Sequence, residues 1–416
     1  RSFIMDANAT WGTTYFLLGG ENETVPFCYR TYHNDENTPS DQYYSDYDND
    51  WTNEVFVGRV PVGSSTEIST FVDKVLKYEK DPLTDYLMNI LLIGMDLDAL
   101  THSEYLKENI RTSIPIPAYF NVTRVYDSHG GNHRDSVLYY LNQGQHLVNH
   151  CDHSNTNVMC TGDFNHGWCI YDSDVDALTN VDKTSIIVTA GCLPNHMDGT
   201  ECIAEHFVNY NPNRAGLAFN GNTRNGFYNA GNPYTLTSAL DKQWWVSLFT
   251  RNKYNLGQTL ADAKHNFSHS QPVEKHCEWT FNLLGEPEMP IYTAFPSVLS
   301  VSYPESVSMA PQTVDIYVAV SGSPKSGASV CLSKGNEVYV KGSTLSDGWV
   351  HLAINPFAAG NLLITVTAQN CIPYQDTIRI AQSLFLDQFI FDDAVGGNGN
   401  GRPEGGETVK LYFTLR

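Results

Sequence analysis

Apolar residues along this chain gather in short runs. "TYFLLG" (14–19), "EVFVGRVPV" (54–62), "MNILLIGMD" (88–96), the middle of "GQHLVNHCDHS" (144–154), "SIIVTAGC" (185–192) and the start of "GLAFNGNTRNGFY" (216–228) are each bounded by polar or Gly residues. Runs of that length read as buried strands. Between them the period changes. "STEISTFVDKVLKYEK" (65–80) places apolar residues at 68, 71, 72, 75 and 76 and opens on Ser/Thr with Glu soon after. That pattern predicts an amphipathic, N-capped helix. "SEYLKENIRTS" (103–113), "ECIAEHFVNY" (201–210) and stretches near 238–250 and 257–268 also read as helices. Strands alternating with helices predict an α/β fold: a mostly parallel sheet with helices on both faces.

The texture changes after Pro296. "VDIYVAV", "SVCLSKGNEVYVKGSTLSDGWVHLAI" and "NLLITVTAQN" are short alternating strands separated by Gly, Asn and Asp turns. They predict an immunoglobulin-like β-sandwich over 297–381. Residues 382–416 read as a linker or the truncated start of a further β module, and 1–296 as the α/β domain. Cys331 and Cys371 fall in two of the sandwich strands, where a disulfide and a pair of buried thiols fit equally well. No run of 18 apolar residues occurs, so no membrane span is expected. No signal peptide opens the chain and Arg1 is not an initiator, so a processed or trimmed product is expected.

Charge narrows the partners. Lys plus Arg number 25 against 46 Asp plus Glu, a formal charge of −21. Such a field repels nucleic acid and anionic lipid and favours cationic partners and divalent metals. Asp46, Asp48 and Asp50, with Asp41 and Glu54 nearby, supply oxygens suited to calcium. They lack the Gly and the bidentate Glu of an EF-hand, and a solvated acidic turn explains them as well. "DDAVGGNGNGRPEGGE" (392–407) is a second loop of this kind. His150, Cys151, His153, Cys160, His166 and Cys169 crowd one segment, but their spacing matches no zinc template.

Two of these residues sit where chemistry is expected. Cys192 and His153 each follow an apolar strand at the point where a loop begins, and open α/β sheets bind ligands beyond the carboxyl ends of their strands. A neutral thiol near pH 7 needs a base, and His153 would supply one. The plainer alternatives are a core thiol and a loop histidine. His146, His150 and His166 lie close enough in sequence to compete.

Further stretches carry a family resemblance. "YFLLGGENETVPF", "YYSDYDNDWTNEVFVGRVPV", "FVDKVLKYEK", "LLIGMD", "LVNHCDHS", "DVDALTN", "TAGCLPN…ECIAE" and "WTFNLLGEPEMPIYT" keep their order over 1–296. Together they resemble the gingipain-type cysteine peptidases, a secreted family with a caspase-like fold followed by an immunoglobulin-like domain. The resemblance implies a secreted or cell-surface endopeptidase acting on protein or peptide substrates. Catalysis would need no cofactor, and calcium would be structural. Cys192 would be the nucleophile and His153 its base. Asp96, with Asp98 as fallback, would orient that base. The N–H groups of Cys192 and Ser154 would form the oxyanion hole. Glu104 would read a basic P1 residue, and Trp279 would wall the pocket. The chain starts about one βαβ unit into the family domain, which implies an N-terminal chain or pro-segment. Asp152 and Ser154 replace two glycines that flank the family histidine. That departure supports an alternative: a catalytically inactive relative serving as a surface binding or adhesion module. A metal-binding structural protein is the third reading.

Overall fold

The computed structural model describes residues 1–199, 201–381 and 386–415. Eight strands build the main sheet, in the order Tyr15–Gly19, Phe56–Val60, Phe281–Leu284, Gly216–Asn222, Ser185–Thr189, Leu147–Cys151, Asn89–Gly94 and Asn121–Tyr126. Neighbours run parallel, except that Gly216–Asn222 meets Phe281–Leu284 antiparallel. Ile90, Leu91, Leu92, Ile186, Ile187, Val188, Leu217 and Phe219 are all buried. Adjacent residues buried in this way need cover on both faces, which explains the unbroken apolar runs of the central strands.

Helix Ser65–Lys80 starts where the sequence places it. The Ser64 hydroxyl accepts the Glu67 N–H at 3.2 Å, and the Glu67 carboxylate accepts the Gly63 N–H at 2.8 Å. Its inward face is Thr70, Phe71, Lys74, Val75 and Tyr78, while Ile68, Val72 and Leu76 are exposed. Lys74 takes an inward position because its Nζ donates to the carbonyls of Phe207, Asn211 and Arg214. The helix expected over 201–210 is instead one α turn, Ile203–Glu205, running into a π-helical turn, His206–Tyr210. Helices Ser2–Trp11, His133–Gln143 and Pro272–Thr280 were not legible in the hydrophobic pattern. Nor were strands Asn121–Tyr126 and Phe281–Leu284.

The chain divides into Arg1–Pro296 and Ser297–Arg416. The second unit holds two five-stranded sheets around one core. Val314, Ile316 and Val318 come from one sheet, and Val330, Leu332, Ile364, Val366 and Ile378 from the other. Leu386–Asp392 and Lys410–Leu415 form a separate antiparallel hairpin. The disulfide considered between Cys331 and Cys371 does not form. In strand Ser329–Lys334 the inward positions are Val330 and Leu332, so the alternation turns Cys331 to the outer face, while Cys371 lies in the core.

Candidate active site

The register of two parallel strands brings the site together. Thr189 pairs with His150 and Val188 with Asn149. Both strands leave the sheet at the same edge, and Cys192 and His153 each lie three residues beyond the Thr189–His150 pair. They line one pocket of about 70 Å³, whose walls include Leu97, Asp152, Gly226, Phe227 and Tyr228.

His153 is held at one ring nitrogen. Its Nε2 lies 2.8 Å from the Leu97 carbonyl. A carbonyl only accepts, so Nε2 carries the proton and Nδ1 of the neutral ring remains the acceptor; the tautomer is assigned from this partner. The Cys192 thiol donates to the Gly226 carbonyl at 3.5 Å rather than to His153. Burial pushes this thiol up, and the Glu36 carboxylate adds to the shift. The sulfur therefore rests as a neutral thiol, and deprotonation requires a base.

Asp152 and Ser154, the two departures from the family glycines, both have defined partners. The Asp152 carboxylate accepts main-chain N–H groups from His153 at 2.6 Å, Gly162 at 2.7 Å and Asp163 at 3.4 Å. Burial pushes it up to about 7 against the pull of those donors. The carboxylate is thus turned into its own loop. Ser154 Oγ donates to the Cys192 carbonyl at 2.8 Å. The Cys160 N–H bonds the His153 carbonyl, which makes the next pair, Ser154 and Met159, a non-hydrogen-bonded one. The Ser154 N–H accordingly points out of the ladder.

Close approach depends on a glycine. A Cβ on Gly191 would lie 2.1 Å from Ser154 Oγ and 3.1 Å from the Asp152 carbonyl. Gly191→Ala is expected to push the 152–154 segment off the Cys192 loop. Overpacking of this kind costs about 1–3 kcal/mol. Activity on a peptide substrate should fall at least ~10-fold, because a displacement of about 1 Å can cost ~10²-fold. Thermal melts beside kcat/KM check this, and an unchanged kcat/KM would show that the segment is not fixed there.

Three supports of the Cys192 loop were not legible in the sequence. Leu193 adopts φ 63°, a conformation rare for a bulky residue. Its N–H donates to the Arg224 carbonyl at 3.0 Å. Asn222 Nδ2 donates to the carbonyls of Ala190 at 3.2 Å and Gly191 at 2.7 Å, tying the neighbouring strand to the loop. Below the site, Asn149 Nδ2 donates to the Val188 carbonyl and to buried Asp241, which also pairs with buried Lys107. "LVNHCDHS" carries Asn149 in plain view, but only the fold reveals those partners.

The competing histidines lie elsewhere or are fully engaged. His150 has both ring nitrogens engaged, by Thr189 Oγ1 and the Cys160 carbonyl at 2.7 Å each, and burial lowers its pKa to about 4. His146 is buried against Tyr78 and lowered to about 3 by desolvation. The cysteine- and histidine-rich crowd is not one metal site. Cys160 and Cys169 form a disulfide, and Cys151 is buried against Ser103.

Three expected residues are not at the pocket. Asp96 does not meet His153: its Oδ1 lies 2.6 Å from His102 Nδ1, and its Oδ2 accepts the Asn165 amide. The short hairpin of Asp96–Asp98 with Thr101–His102 makes that pairing, and the Leu97 carbonyl takes the orienting place. The fallback, Asp98, accepts N–H and O–H groups from Leu100 and Thr101 and the Tyr228 hydroxyl. Glu104 lies off the pocket, at the first turn of helix Ser103–Ser113, where its carboxylate accepts the Ser128 N–H. Trp279 is 1% exposed, donates to the Thr38 carbonyl and packs under the Arg30 guanidinium, so its ring is core rather than pocket wall. Asp46, Asp48 and Asp50 do gather, joined by Glu54, with one oxygen of each within 4.8 Å of the others. Asp41 is instead committed to buried Arg59 at 2.7 Å.

A model of peptidase family C25 matches residues 1–292. Lys-gingipain W83 of Porphyromonas gingivalis is 22% identical over 372 residues, covering 82% of this chain and 20% of that protein. Gingipain R2 of the same organism is 22% identical over 404 residues, 90% of this chain and 50% of that one. The chain thus spans between a fifth and a half of the length of these relatives. The crystal structure of the Arg-specific cysteine proteinase gingipain R superposes with a TM-score of 0.77 at 21% identity, covering 91% of this chain and 87% of that one. A complex of gingipain RgpB pro- and mature domains gives 0.74 at 21% identity, over 91% and 89%. The shared fold is the caspase-like α/β sheet.

Proposed function

The chain belongs to peptidase family C25, and we propose that it is a cysteine endopeptidase in which Cys192 and His153 form the dyad. The observation that carries this reading is their convergence on one pocket at the carboxyl edge of the sheet. His153 Nδ1, the ring nitrogen without a proton, takes the Cys192 proton as the sulfur attacks the scissile carbonyl. The N–H groups of Cys192 and Ser154 receive the oxyanion. The imidazolium then protonates the leaving amine, and water hydrolyses the thioester with His153 as base. Leu97, through its carbonyl, is the positioning residue.

A basic P1 residue is the preferred substrate feature. Besides Asp152, whose carboxylate is taken up by its own loop, two carboxylates act on groups that line the pocket: Asp98 holds the Tyr228 hydroxyl, and Glu36 acts electrostatically on Cys192. The protein works outside the cell or at its surface, after removal of a pro-segment; among the described residues no helix is long and apolar enough to cross a membrane. The unit after Pro296 is an immunoglobulin-like module. Digestion of a peptide library should yield cuts after Lys and Arg, lost when iodoacetamide alkylates Cys192. Alkylation should accelerate as pH rises, because burial raises the thiol. A Cys192 that never alkylates, with no cleavage in either sample, would instead favour an inactive binding module.

Calcium has a structural role in the same reading. Main-chain N–H groups of Tyr47, Asn49, Asp50, Trp51 and Thr52 satisfy part of the Asp46–Glu54 carboxylate set. Burial raises Asp46 and Glu54, and a hard cation would offset the remaining repulsion with oxygen ligands alone. Calcium at 100 times its Kd should stabilise chelated protein by about 2.7 kcal/mol in thermal melts. Asp48→Asn with Asp50→Asn should abolish the shift; a persistent shift would place calcium elsewhere.

A further inference from the structure

Asp127, His133 and His166 converge from three segments: just past strand Asn121–Tyr126, the first residue of helix His133–Gln143, and the last residue of the turn Asp163–His166. Asp127 Oδ1 stands 3.4 Å from His133 Nδ1 and 3.4 Å from His166 Nε2. The Asp127 and His133 side chains are 3% and 2% exposed.

The tautomer of His133 is set by its other nitrogen. Nε2 lies 2.8 Å from the His129 carbonyl and must donate to it. The neutral ring therefore turns a bare Nδ1 lone pair toward Asp127 Oδ1, also an acceptor, and neither atom has a hydrogen-bond partner among the described residues. Asp127 Oδ2 is already engaged, by the Asp96 N–H at 2.7 Å and Asn165 Nδ2 at 3.2 Å. Two buried acceptors facing one another call for a cation between them. A second proton on the imidazole would draw the pair in to about 2.7–2.9 Å. A tetrahedral ion bound at about 2.0–2.1 Å spaces its ligands by roughly 3.3–3.4 Å, which is the separation found.

We propose that Asp127 Oδ1, His133 Nδ1 and His166 Nε2 form a three-ligand site for zinc or a similar divalent transition ion, with water in the fourth position. Two imidazoles and a carboxylate suit zinc and disfavour calcium. The surroundings match such a site. The His133 N–H bond to a carbonyl is the outer-shell contact that metal-binding histidines make. Trp168 stacks on His166 at 4.3 Å and meets His133 edge-on at 5.1 Å. Gly162, at φ 113°, keeps the centre open: a Cβ there would come within 3.2 Å of Asp127 Oδ1 and 3.4 Å of His133 Nδ1. His166, 36% exposed, leaves a side for water. Through Asp127 Oδ2 the ion would brace Asp96, next to the Leu97 carbonyl that holds His153. The proposal does not depend on the peptidase reading.

The test uses the full chain carrying Cys192→Ala, so that no thiol–imidazole pair competes, in buffer with excess calcium to fill the acidic loop. Equilibration with zinc and desalting should leave one zinc per chain. Cobalt in its place should give the visible absorption of a tetrahedral site. His166→Ala, at an exposed position, and Asp127→Asn should each raise the zinc Kd at least ~10-fold and remove the cobalt band, since even outer-shell changes cost about 10–100-fold. No retained zinc, or equal retention by the folded His166→Ala protein, overturns the proposal.

Discussion

Replacing Cys192 with alanine is expected to abolish peptide hydrolysis, with kcat/KM falling by about 10⁴-fold or more while the fold stays intact. The size follows from the chemistry: residues of a nucleophile–base pair act as a unit, and removing the nucleophile alone costs nearly as much as removing the whole set. No neighbouring thiol can substitute. Cys151, the other cysteine lining the pocket, is buried, hydrogen-bonded to Ser103 and pushed up by burial. The structural cost should be small, because Cys192 is only half-buried and its thiol makes a single long hydrogen bond among the described residues, to the Gly226 carbonyl. A melting curve close to wild type is therefore expected beside the lost activity. His153→Ala should lose a similar factor, and the double variant should be little worse than either single one. Measurement of kcat/KM on a peptide that the wild type cleaves decides the matter. Retention of more than a tenth of wild-type activity by Cys192→Ala would remove the sulfur from the mechanism.

The placement of Cys192 and His153 at one sheet edge was legible because it depends on strands alone. "HLVNHCDH" and "SIIVTAGC" announce themselves as buried strands, and parallel pairing of two such strands delivers their ends to one edge. What stayed hidden depends on the backbone or on distant loops. The partner of His153 is a carbonyl, and matching side chains to a family pattern pointed to Asp96, one residue away. Asp96 is drawn off by His102 through a hairpin too short to show a period. Helix His133–Gln143 opens after "SHGGN", where Gly and polar residues read as loop; its cap, Asn132 Oδ1 accepting the Asp135 N–H, is clear only once the helix is seen. The Asp127, His133 and His166 cluster spans 127–166, a separation that no spacing rule covers. Of the crowd at 150–169, Cys160 and Cys169 are joined in a disulfide, and only His166 belongs to that cluster.

Lys107→Met is expected to cost roughly 3–5 kcal/mol of stability, the largest loss foreseen for any change outside the pocket. Lys107 and Asp241 are both 0% exposed and paired at 2.8 Å, with Asn149 Oδ1 accepting from the same ammonium at 2.8 Å. Burial pushes the Asp241 carboxyl up, and Lys107 together with the Asn149 amide holds it down. Without the lysine, Asp241 must stay buried as an uncompensated charge or take up a proton, and either is costly. The melting temperature should drop by about 10 °C. Pairing the change with Asp241→Asn should recover more than half of the loss, because two neutral amides, Asn149 and the new one, can hydrogen-bond each other where the ion pair was. Such recovery is the sign of direct coupling rather than of two independent packing defects. The network matters to the site because Asn149 lies four residues before His153 and fixes its strand to the Val188 carbonyl, on the strand leading to Cys192. Chemical denaturation of the two singles and the double closes the cycle. A cost under 1 kcal/mol for Lys107→Met, or an additive double variant, would mean that water reaches these charges and that the strand ends are held by backbone pairing alone.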